Sequence, residues 1–318
     1  MFRNLKLKAK MLLTICSVVL IVFALTIGFI ALKSGEMAQK NALEKAVEMA
    51  YKYSSIVKSN IDHAMDSAMI LTQTIEGIKN SGIKPESTVL DNMIKQVLEK
   101  NSNFHGIWVM LENDTLYEKK FYSSWFYRKN NEIISEPSVS QEEYDKGMEN
   151  EYYSLPKNSR KPVLLEPYAD DDLKILMTSA CVPVMDNGKC IGVVGIDVTL
   201  EDISKMVMGI HPFETGDASV ISNTGKYVAH TDTTKIGADI MDVAKRGKGQ
   251  DSHASDKSTS SDGWKEAVES ITSGSLFTMT DYSEALKAEV QSIFVPIHIG
   301  NIDAPWSFVV NIPTNKVF

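Results

Sequence analysis

The chain has 318 residues, of which 43% are hydrophobic and 23% charged, and carries a formal net charge of -8. An acidic chain lacks the basic footprint that phosphate backbones require, so nucleic acid is excluded as a partner. Of three cysteines, Cys16 falls in an apolar run, and Cys181 and Cys190 are out of cross-strand register with each other, so both read as buried small hydrophobes rather than a redox pair.

Residues 11–32 contain no charged side chain, and Arg3, Lys6, Lys8 and Lys10 stand just before them. As a helix this run is about 33 Å long, matching a bilayer's hydrocarbon core. It exceeds a signal peptide's apolar region and continues into Lys33 with no small-residue cleavage site, so it reads as a retained transmembrane helix. The basic cluster holds residues 1–10 in the cytoplasm and sends everything after Lys33 outside, as a single pass with the bulk extracytoplasmic.

Leu43, Val47, Ala50, Ser54, Val57, Ile61, Ala64, Ala68, Leu71, Ile75 and Ile78 then follow alternating four- and three-residue steps. This heptad stripe predicts one long helix over 34–79, the core of a stalk spanning 33–85. Its small residues fit either a homodimer seam through the stalk or a helix packed on its own domain. A second helix is predicted over 86–100 after Pro85. Strands follow at 106–111, 119–128, 163–166, 174–184 and 190–199, with a polar connection or short helix at 131–145. Asn187-Gly188 makes a two-residue hairpin turn that sets Met185 opposite Cys190 and Cys181 opposite Val194.

The order of elements describes an α+β domain over 86–200. A smaller module over 201–318 opens with a short helix at 200–208. It continues with strands at 218–222, 227–230, 275–280, 290–296 and 306–312, and an exposed loop at 250–263. Neither Gly-Lys turn has the flanking residues of a phosphate cradle, and the six histidines lack ligand spacing, so no zinc and no cofactor is expected. Asp170-Asp171-Asp172 reads as a solvated turn rather than a calcium loop. No catalytic constellation stands out, and the chain is read as a non-enzyme.

An anchor, a long helix, a first sheet ending in Gly195-Ile196-Asp197 and a second opening with Gly216-Asp217-Ala218 together resemble the double Cache (dCache) sensor module. Bacterial chemoreceptors, sensor histidine kinases and cyclic-dinucleotide enzymes carry this module. The resemblance covers essentially 34–318. It implies two PAS-like antiparallel sheets on a long helix, a small-molecule pocket in the membrane-distal sheet, and residence in a bacterial inner membrane. In the amino-acid-sensing branch an Arg-x-Trp-Tyr element clamps the ligand carboxylate, while Pro-Tyr-x-Asp and a later strand aspartate hold its ammonium. Pro167-Tyr168-Ala169-Asp170, Asp197 and Tyr153 match; Asn150 and Tyr152 stand where arginine and tryptophan belong. The resemblance thus keeps the cation half of the site and loses the carboxylate clamp.

Pairing about Asn187-Gly188 puts Asp197 opposite Thr178 and Gly195 opposite Ala180, so that small residues leave a hollow beside a carboxylate. An inward aspartate must be paired or solvated; a cationic ligand would serve, and so would a hydroxyl from Thr178 or a tyrosine. Tyr152, Tyr153, Tyr168, Trp125 and Tyr127 in the same domain make an amine box plausible. Arg128 and Arg160 are the alternatives for an anion clamp. The expected function is the extracytoplasmic sensing region of a transmembrane chemoreceptor that binds an amine or amino-acid-like metabolite. The rivals are an input domain of a histidine kinase or cyclic-dinucleotide enzyme, and a membrane-anchored structural envelope protein.

Overall fold

Helix α1 (Leu7–Ser81) runs unbroken for 75 residues and joins the apolar run to the heptad stripe. The computed structural model describes residues 7–118, 120–130, 132–136, 139–170, 173–247, 261–283 and 285–317. Residues 1–6, Lys119, Asn131, Asp171, Asp172 and 248–260, on which some sequence expectations fall, lie outside the described residues. Residues 15–41 are exposed throughout, and this part of α1 is long and apolar enough to cross a membrane. From Ala50 to Ile75 the stripe is buried, with Ala50, Val57, Ile61, Ala64 and Ala68 wholly inaccessible. Of the two readings open for the stripe, packing on its own chain is the one found. Its alanines let β-strands approach the helix closely on the side that a dimer seam would have needed.

Helix α2 (Ser87–Lys100) follows, as expected. The first sheet comprises β1 (Gly106–Leu111), β2 (Tyr122–Lys129), β3 (Glu132–Glu136), β4 (Val163–Leu164), β5 (Tyr168–Ala169), β6 (Leu176–Asp186) and β7 (Lys189–Thr199). Its strand order is β3-β2-β1-β7-β6-β4, with β5 also on β6. Strand β3 forms where a polar connection or short helix was expected. Helices α3 (Gln141–Glu149) and α4 (Glu151–Ser159) cover the face turned away from α1. Helix α4 escapes sequence reading because Pro156 lies inside it, yet in so short a helix proline removes little of the ladder.

Helix α5 (Leu200–Met208) leads into β8 (Asp217–Ile221), β9 (Tyr227–His230), α6 (Ile240–Gly247), α7 (Ser261–Ser273), β10 (Phe277–Ser283), β11 (Ala288–Ile297), β12 (Trp306–Pro313) and α8 (Thr314–Val317). The second sheet has the order β10-β11-β12-β8-β9. Both sheets lay an apolar face on α1, through β6 and β7 in one and β11 and β12 in the other. The fold is therefore α+β, two antiparallel sheets on a shared long helix. Between β4 and β5, Glu166 accepts hydrogen bonds from the hydroxyls of Ser222 and Thr224 in the β8–β9 turn, a direct clip between the sheets.

The β6–β7 hairpin corrects the expected register. The turn is as read, with Asp186 paired to Lys189 and positive φ at Asn187 and Gly188. Met185 pairs with Cys190, but the register then shifts and Val184 pairs with Gly192. The extra residue, Ile191, makes a β-bulge that displaces all later pairs by one. Cys181 therefore faces Gly195 rather than Val194, and Asp197 faces Ser179 rather than Thr178.

Candidate ligand-binding site

Tyr127 on β2, Gly106 on β1, Asp197 on β7 and Ser179 on β6 are successive cross-strand partners on the face under α3 and α4. The adjoining row is Trp125, Trp108, Gly195 and Cys181. The Trp108 indole lies flat over Gly195, where a Cβ would come within 2.1 Å of the ring. The hollow expected beside Gly195 is thus filled by Trp108, and the space over Gly106 is taken by the Asp197 carboxylate and the Trp125 indole nitrogen.

Asp197 is 2% exposed. Its Oδ1 accepts from the Ser179 hydroxyl at 2.6 Å and from the Trp108 indole N–H at 3.0 Å. Its Oδ2 lies over Gly106, beside Trp125 Nε1; a Cβ on residue 106 would be 2.8 Å from each. The Trp125 N–H is buried without a well-formed hydrogen bond. Burial, and to a smaller extent the Asp170 charge, raises the Asp197 carboxyl to about 6 against the opposing pull of its Ser179, Trp108 and Trp125 neighbours. It forms no ion pair among the described residues.

The Tyr168 hydroxyl is 2.8 Å from Ser179 Oγ. Because Ser179 gives its proton to Asp197, Tyr168 donates to Ser179, and the relay points at the carboxylate. Burial, then the Asp197 charge, raises the Tyr168 phenol, which stays protonated. Asp170 is half-buried, and its Oδ1 closes a turn by accepting from the Leu173 N–H at 2.7 Å. Tyr152 meets Trp108 edge-on at 5.1 Å, and Tyr127 meets Trp125 at 4.5 Å.

The structure therefore gathers Asp197, Asp170, Tyr168, Tyr152, Trp125 and Tyr127. Tyr153 and Thr178 turn their polar ends elsewhere. Tyr153 packs in the same cluster, but its hydroxyl donates to Glu112 at 3.2 Å, beside Lys157. Thr178, displaced by the bulge, donates to the Leu165 carbonyl at 2.7 Å. Sequence reading missed Ser179, hidden by the bulge, and Trp108, whose N–H in a buried strand needed an acceptor and could have pointed to Asp197. Asn150, at the arginine position, donates to the Tyr152 hydroxyl at 3.2 Å. Arg128 is spent on the Leu98, Asn101 and Phe104 carbonyls in and after the last turn of α2, and Arg160 is an exposed left-handed residue that ends α4.

Residues 90–205 match the family model described as methyl-accepting chemotaxis protein-like, first PDC sensor domain. The methyl-accepting chemotaxis protein McpA of Pseudomonas putida is 21% identical over 243 residues, which is 76% of this chain and 34% of that protein. The chain thus spans about a third of that relative's length. Among solved structures, the extracellular domain of the assigned histidine kinase mmHK1S-Z3 superposes with a TM-score of 0.70 at 22% identity, covering 87% of this chain and 96% of that one. The ligand-binding domain of the Pseudomonas aeruginosa amino acid chemoreceptor PctC, in complex with GABA, gives 0.58 at 13% identity, covering 85% and 98%. Residues 90–205 thus resemble a methyl-accepting chemotaxis protein-like PDC sensor domain, and the chain as a whole shares the fold of a double Cache sensor module.

Proposed function

We propose that the chain is the extracytoplasmic sensing region of a membrane-bound chemoreceptor, and that the first sheet binds a small amine or amino-acid-like compound. The observation that carries this reading is Asp197: a carboxylate sealed among Trp108, Trp125 and Ser179 that forms no ion pair among the described residues. An ammonium group would supply the missing counter-charge, and the aromatic faces around it would add attraction of roughly 0.5–2 kcal/mol each. The Asp170 charge acts on the same carboxyl and adds to the negative potential there. PctC, in complex with GABA, has the same fold. With Arg128 and Arg160 both engaged away from the site, the amine carries recognition and a ligand carboxylate is optional.

Residues 86–200 serve as the membrane-distal sensing domain, 201–318 as the proximal one, and the apolar part of α1 as the anchor. Entry of a ligand needs half-buried Tyr152 and Tyr168 to move, and closure over it shifts the equilibrium by no more than the ligand's preference for the closed state. A homodimer would pair the outer side of α1, where Ile56 is 45% and Ile70 63% exposed. The likeness to mmHK1S-Z3 favours a second reading, the input region of a histidine kinase, which keeps the sensor and changes the output.

Calorimetric titration of the full chain in nanodiscs against amines, amino acids and simple carboxylates tests the site. Amines are expected to bind, and Asp197→Asn is expected to weaken the best of them by about 2–5 kcal/mol, roughly thirty-fold or more. Carboxylates binding without an amine, or affinity unchanged in Asp197→Asn, would refute the assignment.

A further inference from the structure

The second sheet holds a buried carboxylate of its own. Asp217 opens β8, is 5% exposed, and is the cross-strand partner of Asn311 on β12, which is partnered by Ser292 on β11. These side chains form a directed relay: the Ser292 hydroxyl donates to Asn311 Oδ1 at 2.7 Å, and the Asn311 amide donates to Asp217 Oδ1 at 2.7 Å. The relay satisfies one oxygen only. Asp217 Oδ2 is buried with no hydrogen-bond partner among the described residues. Protonation does not resolve this, since a carboxylate oxygen there lacks a donor and an acid hydroxyl would lack an acceptor.

The neighbourhood is suited to a positive group. The Tyr227 ring stands edge-on to His230 at 5.0 Å, and Asp217 and Asp281 both lie within electrostatic reach of the Tyr227 hydroxyl. His230 uses Nδ1 to accept from the Asp232 N–H. Lys235 and His211 act on Asp217 from a distance, and no ion pair to it forms among the described residues. An inorganic divalent cation lacks its ligand set, because no three His, Cys, Asp or Glu side chains converge among the described residues. One free carboxylate oxygen within electrostatic reach of a buried tyrosine suits an N–H-bearing cation instead.

We propose that Asp217, with Asn311, Ser292 and Tyr227, forms a second ligand subsite in the second sheet, one that takes a small organic ammonium or guanidinium independently of Asp197. The subsite would let this receptor read the same chemical class at two heights on α1.

Equilibrium dialysis of the full chain in nanodiscs with radiolabelled ethanolamine and agmatine tests it. In Asp197→Asn, which removes the first site, one bound equivalent of at least one probe should persist. Adding Asp217→Asn should weaken that binding tenfold or more, with the fold checked by circular dichroism. If Asp217→Asn fails to fold, Asp281→Asn in the same background should weaken binding about threefold or more. An Asp197→Asn chain that binds neither probe would mean that an internal water alone satisfies Oδ2, and the proposal falls. It falls equally if that binding is indifferent to Asp217→Asn, or, where that variant does not fold, to Asp281→Asn.

Discussion

Asp197 sits in the first sheet in a state that costs the unliganded protein free energy. Its carboxyl titrates at about 6 when folded, against 3.8 for the ordinary group, because burial disfavours the charge. The folded chain therefore holds this proton more tightly than the unfolded chain between these values. The stability contributed by Asp197 is full below about pH 4 and is lost as pH rises through about 6, a swing of about 3 kcal/mol. We expect Asp197→Asn to be about 2–3 kcal/mol more stable than the parent at pH 7.5 and to lose that advantage near pH 4, as measured by denaturant unfolding at the two pH values. Amine affinity should run the opposite way, falling toward tenfold per pH unit below about 6 as the carboxylate is protonated.

Among the elements, the β6–β7 hairpin decides which hydroxyl serves the site. The bulge at Ile191 gives Asp197 the Ser179 hydroxyl and sends Thr178 to the Leu165 carbonyl. Ser179→Ala should weaken amine binding several-fold and raise the Asp197 carboxyl further. Thr178→Val should leave affinity unchanged and cost about 1 kcal/mol of stability for its lost hydrogen bond. Titration calorimetry and unfolding of both variants check this; equal effects on affinity would restore the unbulged register. The hairpin also shows where sequence reading stops. Asn187-Gly188 and the alternation on either side are local signals, and they placed the turn and both strands. A single inserted residue changes no composition and little periodicity, yet it exchanges the faces of everything beyond it. The stripe on α1 was legible for the same reason that its partner was not: period identifies a buried face, while what buries it is a matter of tertiary contact. Helix α7 displays Trp264, Ala267, Val268 and Ile271 at helical spacing, a signal present in the chain but overlooked beside the polar stretch before it.

For the whole molecule, Glu166 is one residue through which the sheets hold each other by side-chain hydrogen bonds, beside the Lys161–Asp303 pair. It stands two positions before Tyr168, so the loop that carries Tyr168 and Asp170 is fastened to the β8–β9 turn. Movement of that loop on ligand closure should pull the turn with it. Glu166→Ala should leave amine affinity within about threefold, cost about 1–2 kcal/mol of stability, and abolish the ligand-dependent change in amide exchange at residues 222–226. Retention of that change by the variant would show that coupling runs by another route. Helix α1 is a further connection, since it backs both sheets and continues into the apolar run without a break. A helix is a screw: each residue advances it by about 1.5 Å and turns it by about 100°. Height above the membrane and compass bearing around the axis are thus one variable in this protein, set by the number of residues between the apolar run and Ala46. That exposed interval works as a vernier, fixing which side of the anchor each sheet looks down upon and the rest position from which any signal departs.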